Sequence, residues 1–193
     1  MKKGGVCRVT PWLLLVTVAT ALPAAATLVV KLDLAELTSE ADLIVEARAE
    51  EATSVWIAGE LFTVVQLRVH EVWKGHSPPK IEVLLPGGTD TQGPVPIAAV
   101  WAGQPRMSVD QEYVLFLSTD ARDSYHHVVG FSQGLFAIRY DEEGEAVVVQ
   151  DLRGLRRRGP TGDTPGRVTT TPSDPWETVV RSLVEDAQTR EVP

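Results

Sequence analysis

The sequence predicts a mainly β domain, with short antiparallel strands folded as a sandwich or small barrel, an export signal ahead of it and one amphipathic helix behind it. Three observations carry this expectation. Two apolar runs of period two flank a glycine turn. Further runs of strand length follow, separated by Gly, Pro and acidic residues. No helical periodicity separates these runs, so a parallel sheet of alternating strands and helices is not expected.

The export signal spans residues 1–26. Lys2, Lys3 and Arg8 form a basic start, Val9 to Leu22 is an almost uncharged apolar stretch, and Ala24, Ala25 and Ala26 supply small residues for cleavage. The apolar run is shorter than the roughly 20 residues a spanning helix needs, and Pro11 and Pro23 interrupt it. Cys7, the chain's one cysteine, precedes the apolar stretch and would leave with the peptide. The expected product is a secreted or periplasmic chain starting near Thr27.

Asp33 to Ala41 is expected to form a short helix capped by Asp33, with Leu34 and Leu37 on one side. Leu43, Val45, Ala47 and Ala49 then alternate with Glu46, Arg48 and Glu50, which marks a half-buried strand. Thr63, Val65, Leu67 and Val69 repeat the alternation, and Ala58-Gly59-Glu60 is the turn that makes the two runs a hairpin. Strand-length runs follow at Ile81 to Leu85, Tyr113 to Leu117, Tyr125 to Val129, Leu135 to Tyr140 and Ala146 to Gln150. The last two are joined by the glycine-containing loop Asp141 to Glu145. The barrel domain is thus expected over residues 27–152. Residues 153–172, rich in Arg, Gly, Pro and Thr, read as a flexible linker. Residues 173–193 read as a helix, with Asp174 as cap, Pro175 in first position, Glu177 as capping-box acid, and Trp176, Val179, Val180, Leu183, Val184 and Ala187 as one apolar stripe.

Charge narrows the partners. The full chain carries 18 basic and 26 acidic residues, a net charge of −8. Loss of residues 1–26 removes three basic and no acidic residues, so the remaining 167 residues stand at −11. Such a chain disfavours nucleic acid or an anionic membrane as its main partner. Without cysteine it holds neither disulfides nor thiolate metal sites, and its core must hold it together.

The succession Leu37-Thr38-Ser39-Glu40-Ala41-Asp42-Leu43-Ile44-Val45, Val69-His70-Glu71-Val72-Trp73-Lys74-Gly75, Gly87-Gly88, Tyr113-Val114-Leu115-Phe116-Leu117 and Val129-Gly130-Phe131-Ser132-Gln133-Gly134-Leu135-Phe136 resembles a family of uncharacterised secreted bacterial proteins. That family is distantly similar to netrin-like and tissue-inhibitor-of-metalloproteinase-like OB barrels. From Leu34 to about Leu152 the resemblance implies an OB-like (netrin-like) barrel and an exported compartment, with no established activity. Inhibitors of the netrin-like class place an N-terminal cysteine on the target's zinc. The cysteine-free chain after Ala26 departs from that pattern, and the inhibitory mechanism does not carry over. Asp110-Gln111-Glu112 stands where such barrels have a Gly-acid turn.

No catalytic residue, cofactor site or metal site is expected. Gly130-Phe131-Ser132-Gln133-Gly134 matches G-x-S-x-G, but a nucleophile elbow needs a helix after the serine and a strand pattern follows here. His126 and His127, being adjacent, point to opposite faces of a strand, and His70 and His76 have no alternate-residue pairing. Glu50-Glu51 and Asp141-Glu142-Glu143 lack the spacing of a calcium loop, and Gly87-Gly88 lacks the Lys and Ser/Thr of a phosphate loop. Arg153, Arg156, Arg157 and Arg158 form the basic cluster of the linker, solvated or anion-binding.

Pro86 to Pro105 is the expected recognition segment. It is a long connection rich in Gly and Pro, yet Val95, Ile97, Val100 and Trp101 are too apolar for a solvated tether. Val95, Ile97 and Trp101 are the candidate recognition residues, with a strand at Ile97 to Trp101 and Trp101 in the core as the competing expectation. The leading function is a non-catalytic binding or inhibitor-like module for an extracellular or envelope protein. The alternatives are an envelope structural or chaperone-like component and a carbohydrate-binding OB domain using Trp56, Trp73 and Trp101 as platforms.

Overall fold

The computed structural model describes residues 26–120 and 124–191; the export signal expected over residues 1–26 lies outside these except for Ala26. In chain order the elements are β1 (Thr27–Val30), α1 (Leu34–Glu40), β2 (Leu43–Ile57), β3 (Glu60–Lys74), β4 (Lys80–Pro86), β5 (Gly88–Asp90) and β6 (Ile97–Ala99). There follow β7 (Glu112–Thr119), β8 (His126–Val128), β9 (Leu135–Tyr140), β10 (Ala146–Asp151), β11 (Leu155–Gly159), β12 (Gly162–Pro165), β13 (Val168–Pro172) and α2 (Ser173–Glu191). The chain is mainly β, as the alternating patterns require.

The β2–β3 hairpin turns at Ala58 and Gly59, whose φ values of 50° and 85° are the two positive angles a tight two-residue hairpin turn demands. Leu43, Val45, Ala47, Ala49, Val65 and Leu67, the faces expected to be apolar, all point into one buried cluster. Irregular register between Ile44 and Val45, Glu46 and Ala47, and Ala49 and Glu51 bends these long strands.

The bending lets the sheet curl. Its order is β13-β10-β9-β7-β2-β3-β4-β8, and β8 also pairs with β7. The strands β7-β2-β3-β4-β8 therefore return upon themselves, through a single parallel pairing of Val83 with His126 on one side of β8 and an antiparallel ladder to β7 on the other. Ile81, Val83, Leu85, Tyr113, Leu115 and Leu117 complete the interior cluster. Side chains of this cluster occupy the interior of the ring.

A second core lies outside the ring. Because strand side chains alternate, Ile44, Val114, Phe116, Phe136, Ile138 and Val148 point away from the interior and pack against α1 and α2. Helix α1 begins as expected: Asp33 accepts from the Glu36 N–H at 2.9 Å and Glu36 accepts from the Asp33 N–H at 2.7 Å. Helix α2 begins at Ser173, so Asp174, expected as its cap, sits inside the first turn. Trp176, Val180 and Val184 are buried, whereas Val179 remains exposed. The Trp176 ring lies 4.8 Å from Phe136 and 6.0 Å from Trp73, and the Arg181 guanidinium stacks 4.7 Å from the Trp73 centroid.

Residues 153–172 correct the linker expectation, since β11, β12 and β13 lie there. Strand β13 pairs with β10 from Val147↔Pro172 to Asp151↔Val168, while β11 joins β1 and β12 in a small sheet. Every β13 side chain is exposed. Backbone pairing alone organises an edge strand, and Val168-Thr169-Thr170-Thr171 has the β-branched composition that pairing favours; with no buried apolar face, the polar composition resembled a tether. Parallel pairing of β1 with β11 was likewise not expected.

Candidate functional site

The extension β9-β10-β13 has one face under α2 and the other open. On the open face Tyr113, Ala137 and Val149 are direct cross-strand neighbours on β7, β9 and β10. Arg139, Asp151 and Val168 lie on that face too. Segment 100–106 stands over it as a wall, and the space between is a groove of about 910 Å³.

The wall is held by side-chain bonds to its backbone groups. Thr27 Oγ1 donates to the Ala102 carbonyl at 2.6 Å, and the Gln104 carboxamide oxygen accepts from the Trp101 N–H. Gly103 and Gly154 have φ of 71° and 86°, and a Cβ on Gly154 would stand 2.6 Å from the Gly103 nitrogen. Only glycine permits both that approach and that backbone conformation.

Arginine dominates the groove's charge: Arg106, Arg139 and Arg153 face it, with Asp151 the one carboxylate among its lining residues. Arg153 donates to both Asp151 oxygens. Those bonds, with the nearby Arg106 charge, hold the Asp151 carboxyl below its ordinary pKa. Among the described residues Arg106 and Arg139 have no hydrogen-bond or ion-pair partner. Tyr113 is buried, its hydroxyl accepts from the Ser108 N–H at 2.7 Å, and burial pushes its pKa up. No proton-transfer pair is set up in the groove; its resources are guanidinium groups beside apolar surface.

Of the three candidate recognition residues, the structure brings Trp101 to this groove, 49% exposed. Trp101 is thus not a core residue. Ile97 and Val95 are also exposed but belong to the β5–β6 flap, outside the groove's lining. Ile97 pairs with Asp90, whose carboxylate accepts the Trp56 indole N–H at 2.7 Å; that bond lowers the Asp90 pKa. The segment Pro86 to Pro105 is therefore not without regular structure: it contains the β5–β6 pairing. Trp73 is buried under Arg181 and α2, which removes it as an exposed platform.

Ser132 of the G-x-S-x-G match is 2% exposed, its Oγ has no partner, and strand β9 follows it. Among the described residues no side chain hydrogen-bonds to it. Its neighbour Gln133, unremarked in the sequence, does the structural work of this bend: its side chain accepts from the Leu32 N–H at 3.0 Å and donates to the Val30 carbonyl at 2.7 Å. Phe131, at φ 70°, makes the tight turn. The available signal is a glutamine between Gly130 and Gly134, in a segment otherwise apolar or small.

Among the histidines, burial lowers the His126 pKa and His127 adds to the effect. His70 Nδ1 lies 3.9 Å from Glu112. Glu50 accepts from Lys80 and Arg68, while Asp141 Oδ1 accepts from the Glu143 and Glu145 N–H groups, so both acidic stretches have local structural partners. Arg158 pairs with Asp163 at 3.1 Å. The Arg157 Nε is buried without a partner. The chain matches no protein-family model and no curated protein sequence.

Proposed function

We propose that this chain is an exported, non-catalytic binding module on an OB-type, netrin-like barrel, taking an extracellular or envelope protein at the 100–106 wall and its groove. The pairing order β2-β3-β4-β8-β7, with its one parallel contact between β4 and β8, supports the fold reading, a five-stranded Greek-key barrel of OB type. The observation that carries the function is Trp101, a large aromatic half in water on a wall whose backbone is fixed. Exposed aromatics on rigid supports are the usual anchors of recognition surfaces, and the packed ring interior leaves the outer face to bind.

The test is co-purification from the native envelope and medium, using exported chain whose intact mass starts at Thr27. Wild type should retain one protein in stoichiometric amount, and Trp101→Ala should lose it while changing stability by less than about 1 kcal/mol. Unchanged capture, with stability falling by about 3 to 5 kcal/mol as for a buried tryptophan, would overturn the reading.

A further inference from the structure

We infer that the groove between segment 100–106 and the open face of β9-β10-β13 receives an extended acidic peptide, its carboxylates meeting Arg106 and Arg139 and its apolar side chains resting on Trp101, Val100 and Val168. The inference rests on the binding-module reading and names the ligand chemistry.

Charge is the first ground. In a chain with 26 acidic and 18 basic residues, this groove is lined by three arginines against one carboxylate, and Arg153 already neutralises Asp151. Arg106 and Arg139 are left as two guanidinium groups without partners among the described residues. A guanidinium presents a planar fork that matches a carboxylate with two parallel hydrogen bonds. The depressed Asp151 pKa reflects, after its bonds to Arg153, the positive field that Arg106 adds.

Apolar surface is the second ground. Val100, Trp101 and Val168 are 69%, 49% and 46% exposed around the same groove. A small inorganic anion would leave them wet. A nucleic acid or an anionic membrane would bring many charges against a chain whose net charge is itself negative, and would be repelled. A ligand with a few carboxylates spaced among apolar groups satisfies both surfaces.

Length is the third ground, and it favours a peptide. The lining spans the adjacent strands β13, β10, β9 and β7, about 14 Å at ordinary strand spacing, a distance that about four or more residues of extended chain cover and a small anion does not.

The exported chain is titrated calorimetrically with a blocked octapeptide of alternating Glu and Leu, and with its Gln-for-Glu counterpart. Saturable one-to-one binding of the Glu peptide is expected, falling about fivefold with each of Arg106→Gln and Arg139→Gln, the size of a single partly exposed charge pair. Binding should weaken with added salt and be lost with the Gln peptide. Both arginines are exposed, so unchanged thermal melting of the variants confirms that the fold is intact. Absent binding, equal binding of the two peptides, or indifference to both substitutions would overturn the inference. So would tighter binding of decanoate than of the peptide, which would assign the groove to a small amphiphile, or self-association that depends on the two arginines. Loss of partner capture in Trp101→Ala but not in either arginine variant would leave the binding module standing and remove the acidic ligand. Arginine-dependent peptide binding indifferent to Trp101→Ala would keep the acidic ligand and remove Trp101 as the anchor of the site.

Discussion

On β9 and β10, Phe136, Ile138 and Val148 point to one side of the sheet, while Ala137, Arg139, Val149 and Asp151 point to the other. The first side is sealed: Trp176 of α2 lies against Phe136 and Phe116, and Val180 is fully buried. The second side has only the 100–106 wall above it and keeps its arginines in contact with solvent. One pair of strands thus serves stability with one face and recognition with the other. The closed face can hold the sheet in place while the open face keeps unpaired charge and exposed aromatic surface, features that contribute little to folding.

The division predicts effects of very different size. Trp176→Ala removes the ring that α2 places on the closed face and should lower unfolding free energy by about 3 to 5 kcal/mol, read by denaturant titration. A loss as small as that expected for Trp101→Ala would mean that α2 is not what seals the sheet.

Gly154→Ala should come next, at about 1 to 3 kcal/mol, the usual cost of holding a side-chain-bearing residue in a left-handed conformation. Its φ is 86° and the added Cβ would meet the Gly103 backbone at 2.6 Å. Segment 100–106 must shift to relieve that contact, so Trp101 fluorescence, read as the difference from the Trp101→Phe background, should change as stability falls. An unchanged spectrum would show that the two glycines do not position the wall.

The smallest effect is a pH dependence of opposite sign on the two faces. Glu46, on the helix-covered side, has its pKa raised from 4.5, first by burial and then by Glu112, Glu71 and Glu177. Its folded form holds the proton more tightly than the unfolded chain, so its contribution to stability is greatest below about 4.5 and is lost as pH rises through the raised value. Glu46→Gln should therefore flatten the fall in stability from pH 4.5 toward neutrality. Asp151, on the open side, is lowered from 3.8 by its bonds to Arg153. Its contribution is present above 3.8 and disappears as pH drops through the lowered value, so Asp151→Asn should lower stability near neutrality and cease to matter in acid. Melting curves from pH 3 to 8 on both variants check the two signs.

Where a side chain's face decides whether it meets water, the sequence alone was enough. The alternation in Leu43 to Ala49 and Thr63 to Val69 determined the hairpin, Asp33 with Glu36 determined the cap of α1, and the stripe of Trp176, Val180 and Val184 determined that α2 would cover something. Tertiary structure decided what local patterns do not encode. Residues 153–172 became strands because β10 and β1 offered backbone partners, which a polar, glycine-rich composition does not reveal. The ring closed because bulges bent β2 and β3 until β8 reached β4. Trp101, Arg106, Arg139 and Val168 became one groove only when residues more than 60 positions apart in sequence were brought together; hydrogen bonding and charge act across space, whereas periodicity reports only on neighbours along the chain.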